Sequence, residues 1–198
     1  MPLPMLGLHS ATDSRWVDAA RLDLAGLLSD HAHCELKAAT SALSIVSRFG
    51  AEHPALVEPL TALALEETEH FRSVHDHLQR RAETMHRPDA DAYVNDLWNQ
   101  TKAERSSVPL LLDRLLVNAL IEARSCERFK LLSERLEDPE LQAFYRELMG
   151  SEARHYRLFC QLAERLFGAD LARTRLAQLA PREAKVASAL PLAPRIHG

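Results

Sequence analysis

Glu67-Thr68-Glu69-His70-Phe71-Arg72 and Glu152-Ala153-Arg154-His155-Tyr156-Arg157 are two copies of one pattern, a glutamate and a histidine three residues apart, then an aromatic residue and an arginine. Positions i and i+3 share one face of a helix, so each copy aims a carboxylate and an imidazole at the same point. Each is preceded by a lone glutamate on an apolar stripe, Glu35 before the first and Glu122 before the second. The spacings agree: 32 residues from Glu35 to Glu67 and 30 from Glu122 to Glu152, with 87 from Glu35 to Glu122 and 85 from His70 to His155. The chain therefore repeats a helix pair, each pair supplying a Glu, then a Glu and a His.

The stripes carrying these residues predict four long helices. Several N-cap residues between Ser10 and Ser14 open the first, whose face runs Val17, Leu24, Leu28, His31, Glu35, Ala38, Ala42, Ile45 and Phe49 as one continuous helix ending at Gly50. The second starts near Pro54 and reaches the low eighties, with Leu56, Leu60, Leu63, Glu67, His70, Val74 and His77 in register; Glu66 stands one position off that face. The third starts near Val108-Pro109 and carries Leu111, Leu115, Ala119, Glu122, Cys126, Phe129, Leu132 and Leu136. The fourth follows Asp138-Pro139 with Leu141, Tyr145, Leu148, Glu152, His155, Phe159, Leu162 and Leu166, and stops at Gly168. Gly150 interrupts it, and close packing beside a metal would explain a glycine there.

The polar stretch after Pro88, anchored by Tyr93, Leu97 and Trp98, reads as a long crossover with a short helix. The first nine residues read as an irregular arm. The last thirty read as a helix over 170–180 and a tail broken by Pro181, Pro191 and Pro194; its arginines and Lys185 suit a solvated end or a phosphate contact. The expectation is an all-α, ferritin-like four-helix bundle in one domain, 1–198, with the bundle over about 14–168 and an additional C-terminal helix and tail over 169–198. Only six glycines among 198 residues, with abundant Ala, Leu, Glu and Arg, support the all-α reading.

A single Glu-x-x-His in a Glu-rich helical chain arises readily by chance. Here Glu35, Glu67, His70, Glu122, Glu152 and His155 all fall on apolar stripes, and six ionisable groups cannot be buried in a small core without compensation. Two metal ions supply it. Oxygen-rich ligation with one imidazole per ion suits iron or manganese.

Neighbouring residues carry less. His31, one turn before Glu35, fits a supporting role behind the ligands or a satisfied core histidine; His33, His75 and His77 have no matched partner in the repeat. Tyr145 fits a packed core position better than a redox role, and Cys34 and Cys126 fit reduced buried thiols. Ala38, Ala39, Ala42, Ala119 and Ser125 leave room for substrate or let helices approach closely.

A net charge of -4 gives no dominant basic surface, so any nucleic-acid partner needs a local patch. Three cysteines without a C-x-x-C pair point to a reducing cytoplasm and leave no rubredoxin-like or zinc-finger site. No run approaches the ~18 apolar residues of a membrane span, and the start has no basic region of a leader.

The stretches HAHCELKAA, LEETEHFRSV, NALIEARSCERFKLL and SEARHYRLF resemble those of the MiaE family of bacterial tRNA hydroxylases. The resemblance runs across nearly all of the bundle, and all six proposed ligands match that family's motifs. It implies a non-haem di-iron monooxygenase that uses O2 to hydroxylate the isopentenyl group of 2-methylthio-N6-isopentenyladenosine beside the tRNA anticodon, giving the 2-methylthio-ribozeatin derivative. It also implies Glu67 and Glu152 as the bridging carboxylates. The base lies in a single-stranded loop and can be splayed out. Arg124, Arg128, Lys130 and the C-terminal cations are then loose candidates for phosphate contacts. No flavin or iron–sulfur motif is visible, so electrons come from a separate reductase or ferredoxin. A monomer is compatible with the pattern. Two other functions use the same ligands: ferritin-like iron oxidation and storage, and peroxide detoxification by a di-metal protein.

Overall fold

A computed structural model describes residues 5–102 and 107–197, and every regular element among them is helical. They fall into two compact units, one built from 19–90 with 193–196, the other from the chain before Ala19, the stretch Asp91–Leu192 and His197. The boundary between them falls within a first short helix, α1 (Trp16–Leu22).

The first unit is a helix pair, α2 (Leu24–Phe49) and α3 (Val57–Arg80), joined by a 3-10 turn at Pro54–Leu56 and packed along their length. The long helix expected from Val17 to Phe49 is broken at Asp23. Asp23 leaves helical geometry at φ -140°, and its carboxylate accepts the Gly26 N–H at 2.8 Å, which caps α2. A Cβ on Gly26 would lie 2.3 Å from Asp23 Oδ2, so glycine is what lets the cap close. The apolar stripe continues across this break, which is why periodicity alone reads one helix. After α3 the chain returns to α2: Ser29 Oγ accepts the His86 N–H at 2.8 Å and His33 Nε2 donates to the His86 carbonyl at 2.8 Å. The tail returns there too, with the Ile196 N–H on Asp30 at 2.7 Å and Arg195 on Asp89 at 2.6 Å.

The second unit contains the crossover helix α4 (Ala92–Lys102), the pair α5 (Leu110–Arg135) and α6 (Pro139–Phe167), and α7 (Ala169–Ala189). Part of the expected crossover, 103–106, lies outside the described residues, as do 1–4 of the arm. Tyr93 and Leu97 anchor α4 as expected, both fully buried. Asp138 caps α6 through the Glu140 N–H at 2.9 Å, with Pro139 in the first turn, and Gly168 ends it at φ +84°, where only glycine is unstrained.

The C-terminal helix is longer than the sequence suggests, because it runs through Pro181. An interior proline costs about 3 kcal/mol in a helix, so tertiary anchors must hold both sides of it. Before it, Arg175 donates to both oxygens of buried Asp113 at 2.7 and 3.1 Å. After it, Glu183, wholly buried, accepts from Arg124 Nε and Nη2 at 2.9 Å each and from the Tyr93 hydroxyl at 2.9 Å. Arg124 also donates to Glu127, to Thr12 Oγ1 at 3.0 Å and to the Ser10 carbonyl at 3.1 Å. One guanidinium thus ties the arm and α7 to α5, while the Arg128 guanidinium stacks over Trp16 at 4.8 Å.

Gly150 is not explained by close packing: a Cβ there would meet only Arg154 Nη1, at 3.8 Å. Gly150→Ala should raise stability by about 0.5–1 kcal/mol, read as a higher urea midpoint with unchanged slope. Glu183→Ala leaves the Arg124 charge buried and short of a partner and should cost about 3–5 kcal/mol. The same titration checks it, and a loss under 1 kcal/mol would contradict the anchoring role.

Candidate metal centre

Within the first unit, α2 brings Glu35 and α3 brings Glu67 and His70 together; Glu35 and Glu67 are buried and His70 is partly exposed. Each offers one ligand atom, and these atoms lie within 4.8 Å of one another. His70 Nδ1 is 3.1 Å from Glu67 Oε2 and 3.8 Å from Glu35 Oε2, so that edge of the ring faces both carboxylates. Its Nε2 edge turns toward half-exposed Glu66, at 3.8 Å from Oε1. The one-position offset that removed Glu66 from the stripe has this spatial meaning.

Electrostatics mark the same spot. Burial pulls the His70 imidazole down, but its hydrogen bonds to Glu35 and Glu67, with their charges, push it up to about 10. Burial pushes the Glu35 carboxyl up, yet the His31 charge and hydrogen bond, then those from His70 and Glu67, hold it well below the usual carboxylate range. Two carboxylates facing one ring in this way favour positive charge between them. A metal ligated by that imidazole takes the proton's place, since ligation needs the neutral ring.

Within the second unit, α5 brings Glu122 and α6 brings Glu152 and His155, again with one ligand atom each within 4.8 Å of the others. All three residues are buried. His155 Nδ1 is 4.0 Å from Glu152 Oε1. Among the described residues, the buried Oε1 atoms of Glu67 and Glu152 and the ring nitrogens of His155 make no hydrogen bond, although each of these residues has other electrostatic partners. The donor set itself decides what fits: two carboxylates and one imidazole per triad, oxygen-rich and without thiolate, suit iron or manganese.

Other sequence candidates resolve by contact. His31 is fully buried and its Nε2 donates to Glu35 Oε1 at 2.5 Å, a partnership that the four-residue spacing on a buried face could have signalled. His33 serves the crossover, His75 lies against the Phe71 ring, and His77 receives Arg81 near its ring and carbonyl. Tyr145 packs with Phe129 and Phe144 in an aromatic cluster. The Cys126 thiol donates to the Met149 carbonyl at 3.3 Å, and burial first, then Glu127 and Glu122, push it up to about 11. The space beside Ser125 is taken by His197, whose Nε2 lies 3.0 Å from Ser125 Oγ while its ring stacks on Tyr93. Arg124 and Arg128 do not suit phosphate contacts: both are buried, the first in the Glu183 network and the second over Trp16. Of the C-terminal cations, Arg173, Arg175, Arg182 and Arg195 are engaged with Glu164, Asp113, the Gln100 carbonyl and Asp89. No helix among the described residues is long and apolar enough to cross a membrane.

The family model for tRNA-(MS[2]IO[6]A)-hydroxylase (MiaE) matches residues 4–198. The tRNA 2-(methylsulfanyl)-N(6)-isopentenyladenosine(37) hydroxylase of Pseudomonas putida is 40% identical, over 84% of this chain and 80% of that one. The Salmonella typhimurium protein of the same name is 32% identical, over 83% and 77%. Among solved structures, protein 43 with aldehyde deformylating oxygenase activity from Synechococcus superposes with a TM-score of 0.89 at 37% identity, covering 96% of this chain and 95% of that one. The fold class is accordingly all-α and ferritin-like. Matched from residue 4 to residue 198 and carrying the repeated Glu and Glu-x-x-His triad, the chain belongs to the MiaE family of tRNA hydroxylases.

Proposed function

We propose that this protein is a cytoplasmic di-iron hydroxylase that uses O2 to hydroxylate the isopentenyl group of 2-methylthio-N6-isopentenyladenosine next to the tRNA anticodon. The observation that carries the reading is the buried triad of two carboxylates and an imidazole, repeated once in each unit. Glu35, Glu67 and His70 from one half and Glu122, Glu152 and His155 from the other would hold two iron ions.

Bound there, the iron pair would supply the two-electron activation of dioxygen that hydroxylation of an allylic C–H bond requires. One oxygen atom enters the C–H bond and the other leaves as water, which consumes two electrons and two protons from outside the chain. A separate reductase or ferredoxin delivers the electrons. The four carboxylates balance the metal charge in a site that burial keeps dry. His70 would hold the metal from the Nδ1 edge that faces Glu67, while its Nε2 edge faces Glu66.

Iron storage and peroxide removal would use these same ligands. Aldehyde deformylation is a rival reading suggested by the solved Synechococcus protein.

Iron-loaded protein, a chemical or enzymatic reductant and O2 should convert tRNA bearing the methylthio-isopentenyl base to a nucleoside heavier by one oxygen, located on the prenyl tail by mass analysis. Release of formate and an alkane from a fatty aldehyde, with the tRNA unchanged, would favour the rival. His70→Ala and His155→Ala should each retain the helical far-UV spectrum and lose bound iron; full iron retention in both would overturn the ligand assignment.

A further inference from the structure

We infer that His31 is a positioning residue that fixes which oxygen of Glu35 meets the metal. The inference rests on the reading of Glu35 as a ligand. His31 is wholly shielded from solvent, one turn before Glu35 on α2, and its Nε2 lies 2.5 Å from Glu35 Oε1. At this separation the ring nitrogen and the carboxylate oxygen share one hydrogen bond. Oε1 is thereby engaged, and the other oxygen, Oε2, is the one that faces His70 Nδ1, at 3.8 Å. A free carboxylate can rotate and offer either oxygen or both; one held by a buried ring, itself fixed in a packed helix face, offers one.

The repeat supplies an independent contrast. Four residues before Glu122, the position that matches His31 holds Asn118, whose amide donates to the Arg114 carbonyl at 2.7 Å. The repeat thus holds an amide where the first half holds an imidazole, and an ion served by Glu35 and His70 would depend on His31.

The test is anaerobic ferrous titration of the full-length chain against a competing chelator, with near-infrared circular dichroism of the loaded protein as a second readout. His31→Ala and His31→Leu should weaken one of the two ferrous sites by about 10–100-fold and alter its ligand-field bands. His31→Gln, whose side-chain amide can still donate to Glu35, should recover affinity to within a few-fold. Far-UV spectra establish that each variant is folded. Unchanged affinity and bands in the Ala and Leu variants would overturn the inference. So would a folded Gln variant as weak as Leu, because the side chain would then act through shape alone. Glu35→Ala, run alongside, separates the two levels of the claim. If it binds both ions like the wild type, Glu35 is not a ligand and the metal reading fails; if it loses an ion that His31→Leu keeps, only the role of His31 fails.

Discussion

Carboxylates cannot be buried in a helical core unless positive charge comes with them, and this constraint organises both units of the protein. Glu35, Glu67, Glu122 and Glu152 each lie at or below 4% exposure. Leaving such groups unpaired costs several kcal/mol apiece. In the first unit the compensation visible in the protein alone is imidazole: His31 on one oxygen of Glu35, and His70, pushed up to about 10, between Glu35 and Glu67. The arrangement is costly as architecture and suitable as a cation receptor.

A second set of buried charges is handled in the opposite way. Asp113 and Glu183 are met by Arg175 and Arg124 through paired hydrogen bonds, and the Tyr93 hydroxyl completes the Glu183 network. These charges are neutralised by the chain itself and hold α7 across Pro181 and the arm against α5. The two kinds of buried acid therefore have different uses. Acids closed off by arginine fix the scaffold, and acids faced by imidazole are those assigned above to a metal. The thiol beside the second triad, on Cys126, is held protonated by its burial and does not enter the donor set.

The triads and the four long helices were legible in the sequence because they are local facts: a glutamate or histidine on an apolar stripe is an anomaly within its own helix, and repetition removes chance. The break at Asp23 was not legible, because the stripe runs across it and the cap depends on one aspartate fitting over one glycine. The extension of α7 through Pro181 was hidden for a different reason. Its anchors, Asp113, Arg124 and Tyr93, are remote in sequence from Arg175 and Glu183, and proline read locally is a stop signal. Remoteness also misled the reading of Arg124 and Arg128 as surface cations: a charge on a helix that is buried nearly all round has to be satisfied inside. The value of His31 lay between these cases, since its spacing from Glu35 was visible but the hydrogen bond that gives it a role was not.

The central claim is that two triads, one from each half of the repeat, hold one pair of iron ions. Anomalous X-ray scattering at the iron edge from crystals of the loaded protein tests it most directly. The account predicts two iron peaks per chain that share the six side chains Glu35, Glu67, His70, Glu122, Glu152 and His155 as ligands. A single peak, or iron bound away from these side chains, would contradict it.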